Sequence, residues 1–386
     1  MTDLPSKALL PAGLSDLLPP DAAHEAAVVE RVMAAFAAHG YDRVKPPLIE
    51  FEDALLSGPG AAIATQTFRL MDPVSRRMLA VRPDITLQVA RIALSRLAKA
   101  PRPLRLAYAG QVLRVEGSHL RPDRQFGQVG VELIGSLAAS ADAEVILLAA
   151  GTLERLGICN LSVDLCVPTL VPAVCRALDL PAAETKRLRQ ALDRKDAAAV
   201  AAVGGPAAEL ASALMAASGP AAGTVETLSK LDLPAEAEAD RRRLTEVVRL
   251  VGEAAPHLML TADPVEHRGW EYQTGLSFTL LARGVRGELG AGGRYRAGAL
   301  DGAGDGAGEP ATGFTLYTDV LLRALPAPEA PRRLFLPHGT PAAVADRLRG
   351  EGWAAVAALE PSADPVAEAR RLGCTHLFRD GHPHAV

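Results

Sequence analysis

Apolar residues recur along the chain at helical spacing in some stretches and at strand spacing in others, and the switches between the two mark out the elements. After Pro19-Pro20-Asp21, read as a stop and cap, AAHEAAVVERVMAAFAAHG sets Val29, Val32, Met33 and Phe36 on one face and closes on Gly40, which predicts an amphipathic helix. YDRVKPPLIE then reads as an extended segment whose prolines confine it to a sheet edge or an interface. Between residues 66 and 98 the pattern predicts a hairpin-like stretch, QTFRLMDPVSRRMLAVRPD, and a helix, ITLQVARIALSRLAK. LRLAYAGQVLRVEG and QFGQVGVELIG alternate as two strands on either side of the polar, basic loop SHLRPDR, and ADAEVILLAAGTLERLG is a helix with two apolar faces.

From about 180 to 255 the chain turns into short alanine-rich helices broken by Gly and Pro, which predicts a helical insertion packed on the main domain. Its charge run EAEADRRRLTEVVRLVGEAAP reads as a solvated helix face. Strand character returns at WEYQTGLSFTLLARG. Then come GELGAGGRYRAG, the glycine-rich DGAGDGAGEPATGF, read as a surface loop over 301–308, a last helix LYTDVLLRAL and the linker PAPEAP. The final 56 residues alternate strand and helix from RRLFLPHG to CTHLFRD, with HPH as a frayed tail. The organisation expected is a domain over 1–325 that includes the insertion, and a small α/β module over 331–386.

Composition then removes whole classes. A chain of 386 residues is too long for one ordinary core and suits two or three domains. With 41 Lys and Arg against 45 Asp and Glu the net charge is −4, so a general hold on nucleic-acid phosphates is not expected. The final 56 residues carry seven arginines, six acidic residues and no lysine, a poor platform for RNA. Cys159, Cys166, Cys175 and Cys374 are too few and too irregular for a disulfide framework or a zinc site. No secretory signal and no uninterrupted apolar run of about 18 residues stands out, which predicts a soluble cytoplasmic protein that does not enter membranes.

The stretch with the most chemistry is QFGQVGVELIG. On a strand Gln128, Gly130 and Glu132 share a face, with Gln128 and Glu132 roughly 13 Å apart at about 3.3 Å per residue and Gly130 leaving a bare floor between them. Two polar groups over such a floor can bracket a small ligand; a wet alternating strand would carry the same residues. Arg114 and Glu116 share a face on the preceding strand and can adjoin that pair, either to serve a ligand or as a plain cross-strand ion pair. Arg268 could aim a cation at an anionic group or sit at a surface turn, and Asp84 stands where an N-cap is favoured. GAGGRY and DGAGDGAG lack the strand–loop–helix spacing of phosphate loops, so Gly292-Gly293 is read as permitting a close backbone approach.

Taken in order, PAGLSDLLPP, RPDITLQVAR, LRVEG with FGQVGVELIG, HRGWEYQTG, and AGGRY followed by GFTLYTDVLL resemble the core of the histidyl-tRNA synthetases over about residues 8 to 325. The resemblance implies an α+β fold: a class II aminoacyl-tRNA synthetase-like antiparallel sheet flanked by helices, dimerising through the segment around Val28 to Glu50. It implies that Gln128 and Glu132 grip histidine, with Asp84, Arg114, Arg268, Tyr272 and Tyr295 lining the same pocket. Several positions depart from the synthetases. Val320, with Asp319 before it, stands where they carry an arginine that clamps ATP, and neither residue replaces a cation facing a triphosphate. GSH replaces an arginine-led turn after Glu116, Asp84 replaces a glutamate, Gln273 replaces a tyrosine, and the C-terminal module is short. This mixture is similar to the regulatory-subunit family of ATP phosphoribosyltransferase. That likeness implies a pseudoenzyme with no catalytic residues, metal or cofactor. Its partners would be a short-form catalytic subunit in a hetero-oligomer, expected as a hetero-octamer, and a second copy of itself. L-histidine would be the feedback effector of the first step of histidine biosynthesis. The alternatives are an active histidyl-tRNA synthetase and an amino-acid ligase on the same fold.

Overall fold

The helix before Gly40 forms as α1 (Asp21–Ala38), and it turns Val28, Val32, Met33 and Phe36 into the core. Val28 rather than Val29 completes the buried stripe. Asp21 does not cap the helix but stands in its first turn, where a carboxylate suits the positive end of the dipole. The computed structural model describes residues 9–56, 63–117, 121–266, 273–298, 308–328 and 330–386. Clustering of contacts divides the chain into units 1–326 and 327–386.

In the first unit, the proline-bearing segment yields β1 (Asp42–Arg43) and β2 (Ile49–Phe51). After α2 (Glu52–Leu55), β3 (Arg69–Met71) and β4 (Met78–Val81) join β2 in a small antiparallel sheet of order β2-β4-β3. α3 (Thr86–Ser95) leads to the long hairpin β5 (Leu104–Leu113) and β6 (Gln125–Ile134), then α4 (Ala139–Leu156), β7 (Leu161–Cys166) and α5 (Leu170–Ala177). The alanine-rich stretch folds as α6 (Ala182–Asp193), α7 (Ala197–Val203), α8 (Gly205–Ala216), β8 (Gly219–Pro220), α9 (Ala221–Ser229) and α10 (Ala235–Ala254). β9 (Met259–Asp263), β10 (Gln273–Ala282), β11 (Gly290–Ala297), β12 (Glu309–Tyr317) and α11 (Thr318–Ala324) complete the unit.

Among the described residues the large sheet runs β1-β5-β6-β12-β11-β10-β7-β9-β8. Its six central strands, β5 to β7 in that order, are antiparallel throughout, and the parallel pairs β1–β5 and β7–β9 flank them. β1 lies at the edge, where its neighbouring prolines cost no ladder hydrogen bonds. β6 is central and is packed by α1, α3, α4 and α11, so all but its first residue are buried. That overturns the wet-strand alternative: Gln128 and Glu132 are each 1% exposed.

Two further expectations change. EPATGFTLY is a strand, β12, not a loop running into a helix; lying between β6 and β11, it is nearly buried throughout and lacks the alternation that would reveal it. The charge run of the insertion is not wholly solvated. From α10, Arg243 reaches the buried Asp142 of α4 at 2.9 Å, and Arg294 of β11 meets the same carboxylate at 3.0 Å, so a buried ion triad ties three elements together. In the segment around Val28 to Glu50, the apolar stripe of α1 fills the chain's own core while its opposite face stays exposed. The exposed apolar side chains here are Leu48, Ile49 and Phe51, beside Leu70, Met71 and Met78 of the small sheet. The 301–308 stretch falls largely outside the described residues.

The second unit is β13 (Arg333–Leu336), α12 (Ala342–Gly350), β14 (Ala354–Ala357), α13 (Pro365–Arg371), β15 (His376–Arg379) and β16 (His382–Ala385). Leu334 and Leu336 pack with Ala345 and Leu348 of α12 on one face, and Phe335 packs with Ala369 of α13 on the other, so helices cover both sides of a small sheet. Its terminal HPH is not a frayed tail: it belongs to β16, which pairs antiparallel with β15. No helix among the described residues is long and apolar enough to cross a membrane.

Candidate functional site

The large sheet carries a cavity of about 350 Å³. Glu132 of β6, Tyr295 of β11 and Thr86 of α3 line its buried end; Gln66, Arg114 and Glu116 line its more exposed end.

At the buried end Glu132 is held by hydroxyls. Tyr295 donates to its Oε2 at 2.9 Å and Tyr108 to its Oε1 at 3.3 Å. Tyr108 in turn meets Thr315 Oγ1 at 2.6 Å and Thr86 Oγ1 at 3.2 Å. Burial pushes the Glu132 carboxyl up to about 8, and the hydroxyls of Tyr295, Thr86 and Tyr108 draw it only part of the way back. Two glycines make this packing possible. A Cβ on Gly313 would stand 2.1 Å from Glu132 Oε2 and 2.3 Å from the Val131 carbonyl, and one on Gly130 would stand 2.6 Å from the Tyr108 hydroxyl oxygen. Gly130 therefore does not leave a bare floor between Gln128 and Glu132. It makes room for Tyr108, which faces it across the β5–β6 ladder.

The expected site residues divide into three groups. Glu132, Tyr295 and Arg114 line the cavity. Gln128 and Asp84 lie outside its wall and serve each other: Gln128 Nε2 donates to Asp84 Oδ2 at 2.8 Å, and Gln128 Oε1 accepts from the Ile85 N–H at 3.1 Å. Asp84 Oδ1 accepts from the Thr86 N–H at 2.9 Å, but the N-cap position of α3 is Ile85, so Asp84 stands one residue ahead of the cap read for it. Arg268 and Tyr272 lie outside the described residues. Arg114 and Glu116 also depart from expectation, because β5 ends at Leu113 and both fall in the turn beyond it. The residues opposite Gln128 and Glu132 are Gly110 and Leu106, so Arg114 and Glu116 do not adjoin them across that ladder. Thr86, Tyr108 and Thr315 were not legible as site residues; a tyrosine facing a strand glycine was the one available sign.

At the other end the wall combines Arg114, Arg121, Glu116, Asp123 and Glu288 with Phe126, Tyr317 and Val320. The Arg121 guanidinium lies 3.7 Å from the Tyr317 ring centre and 4.6 Å from that of Phe126. Its charge is matched by Asp319, 3.4 Å away, a carboxylate that Arg323 also approaches. Val320 is buried and faces the cavity where a clamping cation would otherwise project. Such a cavity can accept N–H donors at its buried end, while at the other end Arg121 is already met by a carboxylate. Among the described residues no three His, Cys, Asp or Glu side chains stand together as a metal site.

The family profile of histidyl-tRNA synthetase matches residues 13–321. An ATP phosphoribosyltransferase regulatory subunit from Rhodospirillum centenum is 67% identical over 377 residues, covering 98% of this chain and 96% of that protein. Among solved structures, an ATP phosphoribosyltransferase regulatory subunit/histidyl-tRNA synthetase from Bacillus halodurans matches with a TM-score of 0.81 at 25% identity, covering 95% of this chain and 97% of the other. A histidyl-tRNA synthetase from Nostoc shares the fold with a TM-score of 0.78 at 17% identity, covering 96% of this chain and 90% of the other. The α+β fold is thus the class II synthetase-like one.

Proposed function

We propose that this chain, which belongs to the family of ATP phosphoribosyltransferase regulatory subunits, binds L-histidine and confers histidine control on a short-form catalytic subunit. The observation that carries this reading is the division of the cavity. One end keeps a buried carboxylate able to receive an amino acid's N–H groups, whereas α11 presents Val320 and a carboxylate already matched to Arg121. Amino-acid binding is retained and nucleotide activation is lost. Losing one preorganised charge contact commonly costs around 10²–10³ in rate, so histidine-dependent pyrophosphate–ATP exchange should be absent.

The complex works in the cytoplasm at the first step of histidine biosynthesis, as a hetero-oligomer taken to be a hetero-octamer. Two copies of this chain pair through the segment around Val28 to Glu50, which exposes Leu48 and Ile49. Histidine inhibits by preferring an inactive arrangement of that assembly. A coupling of about 1–3 kcal/mol gives on the order of 5–150-fold control. Mixing this chain with the purified short catalytic subunit and measuring phosphoribosyl-ATP formation with and without histidine tests the reading. Activity should rise with the chain and become histidine-sensitive; a catalytic subunit indifferent to the chain at every histidine concentration overturns it.

A further inference from the structure

Both halves of the Glu132–Tyr295 contact lead into the buried ion triad. Beyond Glu132, β6 ends at Ile134 and the chain turns through Ser136, Leu137 and Ala138 into α4. On β11, Tyr295 is preceded by Arg294, whose side chain takes the opposite face of the sheet, toward α4. Arg294 donates to Asp142 at 3.0 Å, to the Ser136 carbonyl at 2.8 Å and to the Ala138 carbonyl at 3.1 Å. Arg243, from α10 of the insertion, donates to Asp142 Oδ2 at 2.9 Å and to the intervening Leu137 carbonyl at 2.9 Å. The charges do not balance: Arg294 by itself neutralises Asp142, and Arg243 is surplus. Its side chain is only 24% exposed, and the desolvation this costs is repaid only in part by attraction to a carboxylate already matched, so stability is a poor reason for it. What Arg243 adds is a tie between α10 and the turn that follows β6.

We propose that the triad of Asp142, Arg294 and Arg243 transmits the state of the pocket to the insertion, and that the catalytic subunit senses bound histidine through α10. The proposal rests on histidine being the effector. A ligand that pulls on Glu132 or Tyr295 displaces two backbones that end at the same charge cluster. A shift of β6 carries the three carbonyls of the turn with it, and a shift of β11 carries Arg294. The planar fork of Arg243 holds the Asp142 carboxylate and the Leu137 carbonyl in one fixed geometry, so α10 follows the turn or gives up a bond. Linkage makes the effect reciprocal: a catalytic subunit that fixes α10 in the arrangement of the active complex weakens histidine binding by the factor with which histidine disfavours that arrangement.

The full chain mixed with the short catalytic subunit tests this through Arg243→Met, which removes the tie and leaves Arg294 and Asp142 as a balanced pair. Calorimetry should find the histidine affinity of the isolated variant within about twofold of the native chain, while histidine inhibition of the complex weakens about fivefold or more. Stimulation of the catalytic subunit should be retained. Arg249→Met removes a half-exposed arginine from the same helix and should leave inhibition where it is. Unchanged inhibition in Arg243→Met overturns the proposal, as does an equal loss of affinity and inhibition, which would make the triad mere scaffolding of the pocket. Should that variant fail to assemble, hydrogen exchange on the native chain decides. Saturating histidine should slow exchange in α10 and in the turn at 135–138, and exchange there that ignores histidine overturns the proposal. If the native chain does not bind histidine, the functional reading falls and this proposal with it. If histidine binds and inhibits but residue 243 makes no difference, only this proposal falls.

Discussion

At the buried end of the cavity Glu132 is surrounded by hydroxyls; at the other end Arg121 lies on two aromatic rings and meets Asp319. Hydroxyls orient a carboxylate without neutralising it, and the raised carboxyl of Glu132 expresses that unmet cost. A guanidinium matched by an aspartate has its charge balanced within the protein and gains less from an anionic ligand. One cavity thus holds an end whose carboxyl lacks a counter-charge and an end where Arg121 and Asp319 offset each other's charge.

The largest expected effect comes from titrating Glu132. Its folded-state carboxyl titrates near 8 against an ordinary 4.5, so between those values the native state keeps a proton that the unfolded chain has released. This contribution to stability is complete below about 4.5 and is lost as pH rises through 8, at up to about 1.4 kcal/mol per pH unit. Urea unfolding at pH 5, 6, 7 and 8 should show that fall in the native chain and a flatter profile in Glu132→Gln, which should also bind histidine about tenfold more weakly. Parallel pH profiles would mean the carboxylate is neutralised by something else. Next in size is Gly313→Ala. Its methyl would collide with Glu132 Oε2 and with the Val131 carbonyl, and the backbone oxygen cannot move aside, so a loss of about 1–3 kcal/mol and of histidine binding is expected from denaturation and calorimetry. The smallest effect belongs to Asp319→Asn. Stability should fall by about 1 kcal/mol and histidine affinity should stay within about twofold. A loss of histidine binding as large as that of Glu132→Gln would mean the two ends act as one unit.

Helices with one-sided burial and strands set off by a polar loop were the elements legible along the chain. α1 and α3 show an apolar stripe, and β5 and β6 come as a pair around a polar loop. β12 was hidden because both its faces are covered, which erases the period of two, and its register with β6 and β11 is set by neighbours far away in sequence. β16 was hidden for a different reason. Four residues at a chain end carry too little pattern to separate a tail from a strand, and only the β15 edge decides the matter.

The same division runs through the site. Strand parity alone puts Gln128 and Glu132 on one face of β6, and the residue types at 319 and 320 alone leave no cation at those two positions at the start of α11. Which of the two β6 residues reaches the cavity was decided in three dimensions. Gln128 is claimed by Asp84 and the start of α3, while Glu132 meets Tyr295 across two intervening ladders. The physical reason is range: backbone propensity and side-chain period act over a few residues and are written locally. A buried polar atom's partner, by contrast, is whatever donor the folded sheet brings within about 3 Å, and that depends on strand order and register that no single segment encodes.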